Sequence, residues 1–264
     1  MKYVTHDQIR QNVRSRYKQI ALQEANSISC CSAASGCYGT PNEISAKLGY
    51  SDEELFAVPE GANLGLGCGN PLAITELKPG EVVLDLGCGA GFDCFLAARQ
   101  VGETGRVIGV DMTPEMISKA RSNADKGGFT NTEFRLGEIE YLPVADGSVD
   151  VIISNCVINL SPDKPRVFKE AYRVLKPGGR LVISDVVATA ELPPEIKNNI
   201  NVLYSGCVSG AASIGELESM LQQSGFTQIT IEPKEESKEF IKDWVHGTDI
   251  ANYIVSAVIK AIKP

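Results

Sequence analysis

From residue 81 to the C-terminus, short apolar runs alternate with amphipathic stretches, the pattern of a parallel sheet whose strands are joined by helices. Strands are expected over Val82 to Leu86, Arg106 to Val110, Thr132 to Leu136, Val149 to Ser154 and Arg180 to Val187. The fourth is apolar on both faces, as a central strand should be. Between them the 3.6-residue periodicity predicts helices from Gly91 to Val101, from Thr113-Pro114 to about Lys126 before Gly127-Gly128, and from Asp163 to Leu175 before Lys176-Pro177-Gly178-Gly179. Two more helices, Pro193 to Tyr204 and Ser213 to Ser224, precede two last strands, Phe226 to Ile231 and Tyr253 to Ala261. The second of these helices opens on a capping box from Ser213 to Glu216, and the final strand is expected to run antiparallel, at or near an edge.

The first 80 residues read differently. Thr5 caps a helix to about Gln23, with Ile9, Val13, Tyr17, Ile20 and Leu22 at roughly helical spacing. Small and polar residues from Ser27 to Gly39 have no periodicity and read as a loop that holds Cys30, Cys31 and Cys37. Ser51 to Glu54 is a capping box for a short helix ending near Pro59; glycines 61, 65, 67 and 69 then make an irregular crossing around Cys68, and Asn70-Pro71 caps a helix through Leu77. This divides the chain into an N-terminal arm over 1–70, a nucleotide-binding core over 71–190, and a C-terminal part over 191–264 that supplies a lid and the last two strands.

Composition narrows the class. With 264 residues the chain holds one large α/β domain with additions. No apolar run reaches the roughly eighteen residues of a membrane helix, and no short apolar block precedes a cleavage site, so the expectation is a cytoplasmic protein without a membrane partner. A net charge of −8 argues against a nucleic-acid partner, and a small-molecule substrate and a monomer are expected. Eight cysteines in such a chain read as ligands, redox groups or small buried hydrophobes rather than a disulfide framework.

The run Asp85-Leu86-Gly87-Cys88-Gly89-Ala90-Gly91 sits between the first strand and the helix after it, where glycines let backbone N–H groups approach a ligand closely. Dinucleotide binders use Gly-x-Gly-x-x-Gly; here bulky Phe92 stands where their third glycine would be, which disfavours a nicotinamide cofactor. Asp85 can meet the cationic amino group of a methionine moiety, and Asp111, ending strand two, can accept both hydroxyls of a ribose. Glu138 and Ile139 follow strand three, where a carboxylate and a backbone N–H meet an adenine; Met112 offers the base an apolar face. Asn155, just after strand four, is counted with them. Any one of these residues is as easily a cap or a core residue, but their joint placement at consecutive strand ends points to S-adenosylmethionine (SAM). The motifs Val-Leu-Asp-Leu-Gly-Cys-Gly-Ala-Gly, Gly-Val-Asp-Met and Leu-Lys-Pro-Gly-Gly, between Val82 and Val187, resemble those of class I SAM-dependent methyltransferases. The resemblance implies a Rossmann-like sheet of order 3-2-1-4-5-7-6, strand 7 antiparallel, with helices on both faces.

Carbon- and oxygen-directed methyl transfer usually needs a general base, yet the only histidines are His6 and His246, and neither falls in a cofactor motif. Sulfur recurs instead: Cys156 directly after strand four, Cys207 in Ser-Gly-Cys-Val after the helix that follows strand five, and Cys68 between glycines. Three thiolates without a histidine suit a soft centre such as trivalent arsenic, whose lone pair is itself a nucleophile. Cys88 and Cys94 read as packing. Structural zinc is disfavoured, because no Cys-x-x-Cys pair exists and Cys30-Cys31 are adjacent.

Gly-Cys68-Gly, Ser-Asn-Cys156-Val-Ile-Asn-Leu-Ser-Pro-Asp-Lys, Glu-Leu-Pro-Pro-Glu-Ile and Gly-Cys207 resemble the arsenite methyltransferase family over essentially the whole chain. That resemblance implies As(III) ligation by Cys156 and Cys207, joined by Cys68 or a rearranging thiol. A further N-terminal cysteine, one of Cys30, Cys31 and Cys37, would join a disulfide relay reset by thioredoxin or glutathione. The substrate would be arsenite or its thiol conjugate. Leu66 departs from the tyrosine that animal and algal members carry two residues before the cysteine matching Cys68. Two other readings stand beside this one: a methyltransferase for a small carbon or oxygen acceptor such as a quinone precursor, with the cysteines as packing, and a noncatalytic metalloid-binding or SAM-sensing protein. The stretch around Trp244 and His246 has no assigned role, Trp244 reading as packing.

Overall fold

The computed structural model describes residues 5–23, 39–193, 208, 210–242, 244 and 249–264. Seven strands form one sheet of order β3-β2-β1-β4-β5-β7-β6: β1 (Val82–Leu86), β2 (Arg106–Asp111), β3 (Thr132–Leu136), β4 (Val149–Asn155), β5 (Leu175–Ala188), β6 (Thr227–Lys234) and β7 (Ile254–Ile262). The first five pair in parallel, while β7 runs antiparallel between β5 and the edge strand β6. This is the Rossmann-like sheet of class I SAM-dependent methyltransferases, as the motifs implied.

The period of two in the central strands sorts their side chains onto two cores. Leu84, Leu86, Ile108, Val110 and Ile152 face one side, with Val167, Phe168 and Ala171 of α6 (Lys164–Val174) and Leu217 and Leu221 of a later helix, Ile214–Gln223. Val83, Val107, Val151 and Ile153 face the other, with Phe95 and Leu96 of α4 (Phe92–Val101) and Ile117 and Ala120 of α5 (Pro114–Gly127). Each large side chain withdrawn from water here contributes about 1.5–3 kcal/mol, so the centre of the sheet is a rigid platform for whatever stands at the strand ends.

The remaining helices are α1 (His6–Leu22), α2 (Pro41–Lys47), α3 (Asp52–Phe56), α7 (Ile214–Gln223) and α8 (Lys238–Ile241). Capping boxes close the N-termini of α1, α2, α3 and α7 at Thr5, Thr40, Ser51 and Ser213. Two local expectations are corrected. The helix expected from Asn70-Pro71 to Leu77 is a single 3-10 turn, Leu72–Ile74: the Asn70 side chain does accept from the Ala73 N–H, but Glu76 takes a φ of 49°, which a helix cannot continue. The fifth strand starts at Leu175 rather than Arg180, because Gly178 and Gly179 exchange hydrogen bonds with Lys263 and Leu175 pairs with Val149. The helix expected over Pro193 to Tyr204, the loop with Cys30, Cys31 and Cys37, Cys207 and His246 lie outside the described residues, save Pro193 and the loop's last residue, Gly39.

Candidate active site

In a parallel sheet of this order the chain leaves β1 and β4 in opposite directions, and a cleft opens at their carboxyl ends. Here it encloses about 1080 Å³ of empty space including its open mouth and is lined from all sides of that switch point. Its floor is the glycine turn. Gly87 takes a φ of +74°, and a Cβ there would lie 2.5 Å from the Val157 side chain, so no other residue fits. The Gly89 N–H donates to Asp111 at 3.0 Å and the Thr113 N–H at 2.8 Å, which fixes the carboxylate at the end of β2. Asp85, Asp111, Met112, Ile139, Asn155, Cys88 and the glycines 87 and 89 all line the cleft.

Its electrostatics favour a cation. Asp85 is buried, and burial together with the neighbouring Asp93 pushes its carboxyl well above the usual range. Burial raises Asp93 to about 6, although the Tyr50 hydroxyl donates to it at 2.6 Å. Among the described residues neither carboxylate has an ion-pair partner, so a bound ammonium or sulfonium would offset a charge that the protein leaves uncompensated. A nucleoside carrying a cationic amino acid therefore fits the donors and acceptors present.

Glu138 is placed differently from expectation. It stands outside the lining, paired with Arg10 at 3.3 Å and Arg14 at 3.2 Å of α1. Glu140, which the sequence did not single out, lines the cleft instead, buried and bound to Arg10 at 3.2 Å and the Ser161 hydroxyl at 2.7 Å. Arg10, Val13 and Tyr17 bring α1 over the cleft beside Leu66, so an aromatic side chain does stand next to that position.

The thiols are assembled from distant segments. Cys68, Cys156 and Asp185 bring their sulfur and carboxylate atoms within 4.8 Å of one another, all three residues buried. The Ser184 carbonyl anchors both cysteines: it accepts from the Cys156 N–H at 2.8 Å and from the Cys68 thiol at 3.6 Å. Cys156 has a φ of 61°, an uncommon conformation for a residue with a side chain. Asp185 holds that turn. Its carboxylate accepts from Ile158 N–H (2.8 Å), Asn159 N–H (3.4 Å), the Asn159 amide (2.9 Å) and its neighbour Val186 N–H (2.8 Å). Four donors occupy the roughly four lone-pair sites of a carboxylate, which makes Asp185 a clamp rather than a ligand. The Gly-Cys-Gly motif also acquires a reason: a Cβ on Gly67 would lie 2.7 Å from the Asn155 amide nitrogen, and one on Gly69 3.0 Å from the Ser184 hydroxyl.

A methyltransferase domain family model covers residues 77–225. An arsenite methyltransferase of Halobacterium salinarum is 53% identical over 98% of the chain and 67% of its own length. The chain belongs to the arsenite methyltransferase family. The human arsenite methyltransferase is 38% identical over 86% of the chain, which spans only 63% of that relative. An arsenic(III) SAM methyltransferase from Chlamydomonas reinhardtii has a solved structure that superposes with a TM-score of 0.62 at 34% identity, covering 86% of this chain and 75% of that one.

Against the family background, the described cysteines separate. Cys68 and Cys156 share an apolar cluster with Val186, Leu192, Val208, Ile241 and Ile254, and Trp244 packs on it beside Phe240, as its packing reading expected. Cys88 and Cys94 are buried in the other core, with Phe95 and Phe134; burial pushes the Cys88 thiol to about 11 and raises Cys94 as well. Cys94 donates to Asp85 at 3.2 Å, a contact that no local sequence signal announces. His6 is exposed at the start of α1. Among the described residues no helix is long and apolar enough to cross a membrane.

Proposed function

We propose that this protein transfers a methyl group from SAM to trivalent arsenic held by cysteine thiolates. The convergence of Cys68 and Cys156 beside the cleft, from segments far apart in sequence, is the observation that carries the reading. Asp85 and Asp93 would face the amino-acid portion of the cofactor, Asp111 its ribose, and Met112 and Ile139 its base. Bound there, SAM supplies an electrophilic methyl group, for which the arsenic lone pair is the nucleophile.

The chain's own residues bind and orient the acceptor. Each thiol that replaces an arsenic-bound hydroxide releases its proton to that hydroxide, which leaves as water; a thiol-conjugated arsenic would exchange one thiolate for another. Cys207 is the third thiol of the reading, supported by Val208, its neighbour in sequence, which is buried in the same apolar cluster as Cys68 and Cys156. That cluster excludes water from the sulfur–arsenic bonds, and holding both reactants in line supplies much of the acceleration. Methylation takes two electrons from arsenic. Two thiols, drawn from the site and from Cys30, Cys31 or Cys37, return them by closing a disulfide, which the thioredoxin dithiol, or two glutathione thiols that leave as glutathione disulfide, reopens.

The test is chromatography with arsenic detection after mixing the protein, SAM, arsenite and a dithiol. Methylated arsenic that disappears in Cys156→Ser and Cys68→Ser variants supports the reading; unchanged product in both variants would sink it. Turnover of a carbon or oxygen acceptor by the same variants would favour the small-acceptor alternative. Binding of arsenite and SAM without S-adenosylhomocysteine production would mark a noncatalytic binding protein.

A further inference from the structure

The Asn155 side chain touches both the cofactor cleft and the backbone of the thiol pair. Its carbonyl oxygen accepts from the Cys68 N–H at 3.0 Å. Its amide nitrogen has three acceptors in reach: the Gly69 carbonyl at 2.8 Å, the Tyr50 hydroxyl at 3.1 Å and the Asp93 carboxylate at 3.3 Å. An amide has only two hydrogens, so the three acceptors compete for them. Two of the three belong to the cofactor side, since Tyr50 and Asp93 line the cleft and are bonded to each other at 2.6 Å. The third, with the Cys68 N–H, belongs to the backbone that carries the arsenic-binding thiol.

We infer that Asn155 is a positioning residue that couples occupancy of the cofactor cleft to the placement of the Cys68 thiol. A cation over Asp85 and Asp93 draws the Asp93 charge toward itself and weakens its claim on the Asn155 amide. The two amide hydrogens then go to Gly69 and the Tyr50 hydroxyl without competition, and both polar ends of Asn155 hold the Gly67-Cys68-Gly69 backbone. The Gly67 backbone lies so close to the same amide that a Cβ there would fall 2.7 Å from its nitrogen, so a shift of the amide is felt by that loop. Cofactor binding thus tightens the dithiol, and by thermodynamic reciprocity arsenic binding tightens the cofactor by the same factor.

This inference rests on the proposed arsenic chemistry, and the experiment keeps the two apart. Arsenite affinity of the full chain is measured from the near-ultraviolet sulfur–arsenic absorbance, with and without saturating sinefungin, a cationic SAM analogue that has no methyl group to transfer. For the unaltered protein the analogue is expected to tighten arsenite by about fivefold or more, and arsenite to tighten the analogue equally. In Asn155→Ala the ratio should fall to near one. Tyr50→Phe, which spares the Asn155–Cys68 hydrogen bond and decides the matter if Asn155→Ala does not fold, should give an intermediate ratio. A ratio near one in the unaltered protein, or an unchanged ratio in both variants, overturns the coupling. Absence of arsenite binding both with and without the analogue, in the unaltered protein, overturns the proposed function instead.

Discussion

Two pairs of buried cysteines flank the same cleft, and their surroundings differ in the one respect that matters for thiol chemistry. Cys88 and Cys94 sit in the apolar layer under the glycine turn, where desolvation and the Asp85 charge hold them protonated. Cys68 and Cys156 rest on a shared backbone carbonyl, and the nearest carboxylate, Asp185, is already saturated by four N–H donors. On the proposed reading, the pair fixed on the Ser184 carbonyl, through the Cys156 N–H and the Cys68 thiol, is the chelate and the other pair is packing. The sharpest way to break this contrast is substitution in both pairs. Cys156→Ser is expected to lower arsenite methylation by about a hundredfold or more through loss of the oriented acceptor, with sinefungin affinity measured by calorimetry unchanged within about twofold. Equal loss in Cys88→Ala would show that the pairs are not distinct.

The clamp on Cys156 gives the next largest effect, this time on stability. Asp185→Asn turns one acceptor oxygen into a donor facing the donors of Ile158 and Asn159, or of Asn159 and Val186. A buried, mismatched group of that kind costs about 1–3 kcal/mol. The left-handed turn at Cys156 should loosen with it. A lower urea midpoint together with weaker arsenite absorbance is expected, and an unchanged midpoint would mean that the turn is held by other contacts.

Legibility in the sequence followed the same division. The glycine turn, Asp85, Asp111 and Met112 fall within consecutive strand–loop–helix units, so local periodicity and spacing located them, and β1 and β3 matched to the residue. Cys68 and Cys156 were singled out by their glycine and strand-end contexts, but nothing local said that they would meet. Their anchors were out of reach. Ser184 and Asp185 look like interior positions of an apolar strand, and Tyr50 lies in the N-terminal segment, far from any motif, yet it donates to Asp93. Asp93 itself follows Gly91 by two residues and a carboxylate there was a readable signal. Glu138 was misplaced because α1, which binds it through Arg10 and Arg14, folds back over β3's exit, a long-range packing that no local pattern encodes.

A smaller effect separates the cofactor side by pH. Burial raises Asp93 from its ordinary 3.8 to about 6, and the Tyr50 hydroxyl, the Asn155 amide and the Asp85 carboxyl face it. The folded chain therefore binds a proton between about pH 4 and 6 that the unfolded chain does not, so this group's contribution to stability is present at the low end and lost as pH rises through about 6. A cationic ligand acts in the opposite sense, because it requires the carboxylate ionised. Sinefungin affinity should rise between pH 5 and pH 7 by severalfold, and Asp93→Asn should lower that rising limb. A rising limb of equal height in that variant would assign the titration to another group.

The smallest expected effect is also the strictest check on the contrast between the two pairs. Cys94 is fully buried and its thiol donates to Asp85 at 3.2 Å. Cys94→Ala removes one weak donor and a small volume, a loss of about 1 kcal/mol of stability. Without that donor the Asp85 carboxyl moves further up, since the Cys94 hydrogen bond is what draws it down against burial and the Asp93 charge. Fewer molecules then hold Asp85 ionised, so a cationic ligand binds more weakly, by about twofold to threefold at neutral pH and less as pH rises. The loss should appear in the sinefungin affinity and in KM for SAM, with the arsenite absorbance untouched. A change in arsenite binding of the size seen for Cys156→Ser would mean that the packing thiols reach the acceptor, and that burial alone does not tell a packing cysteine from a ligand in this fold.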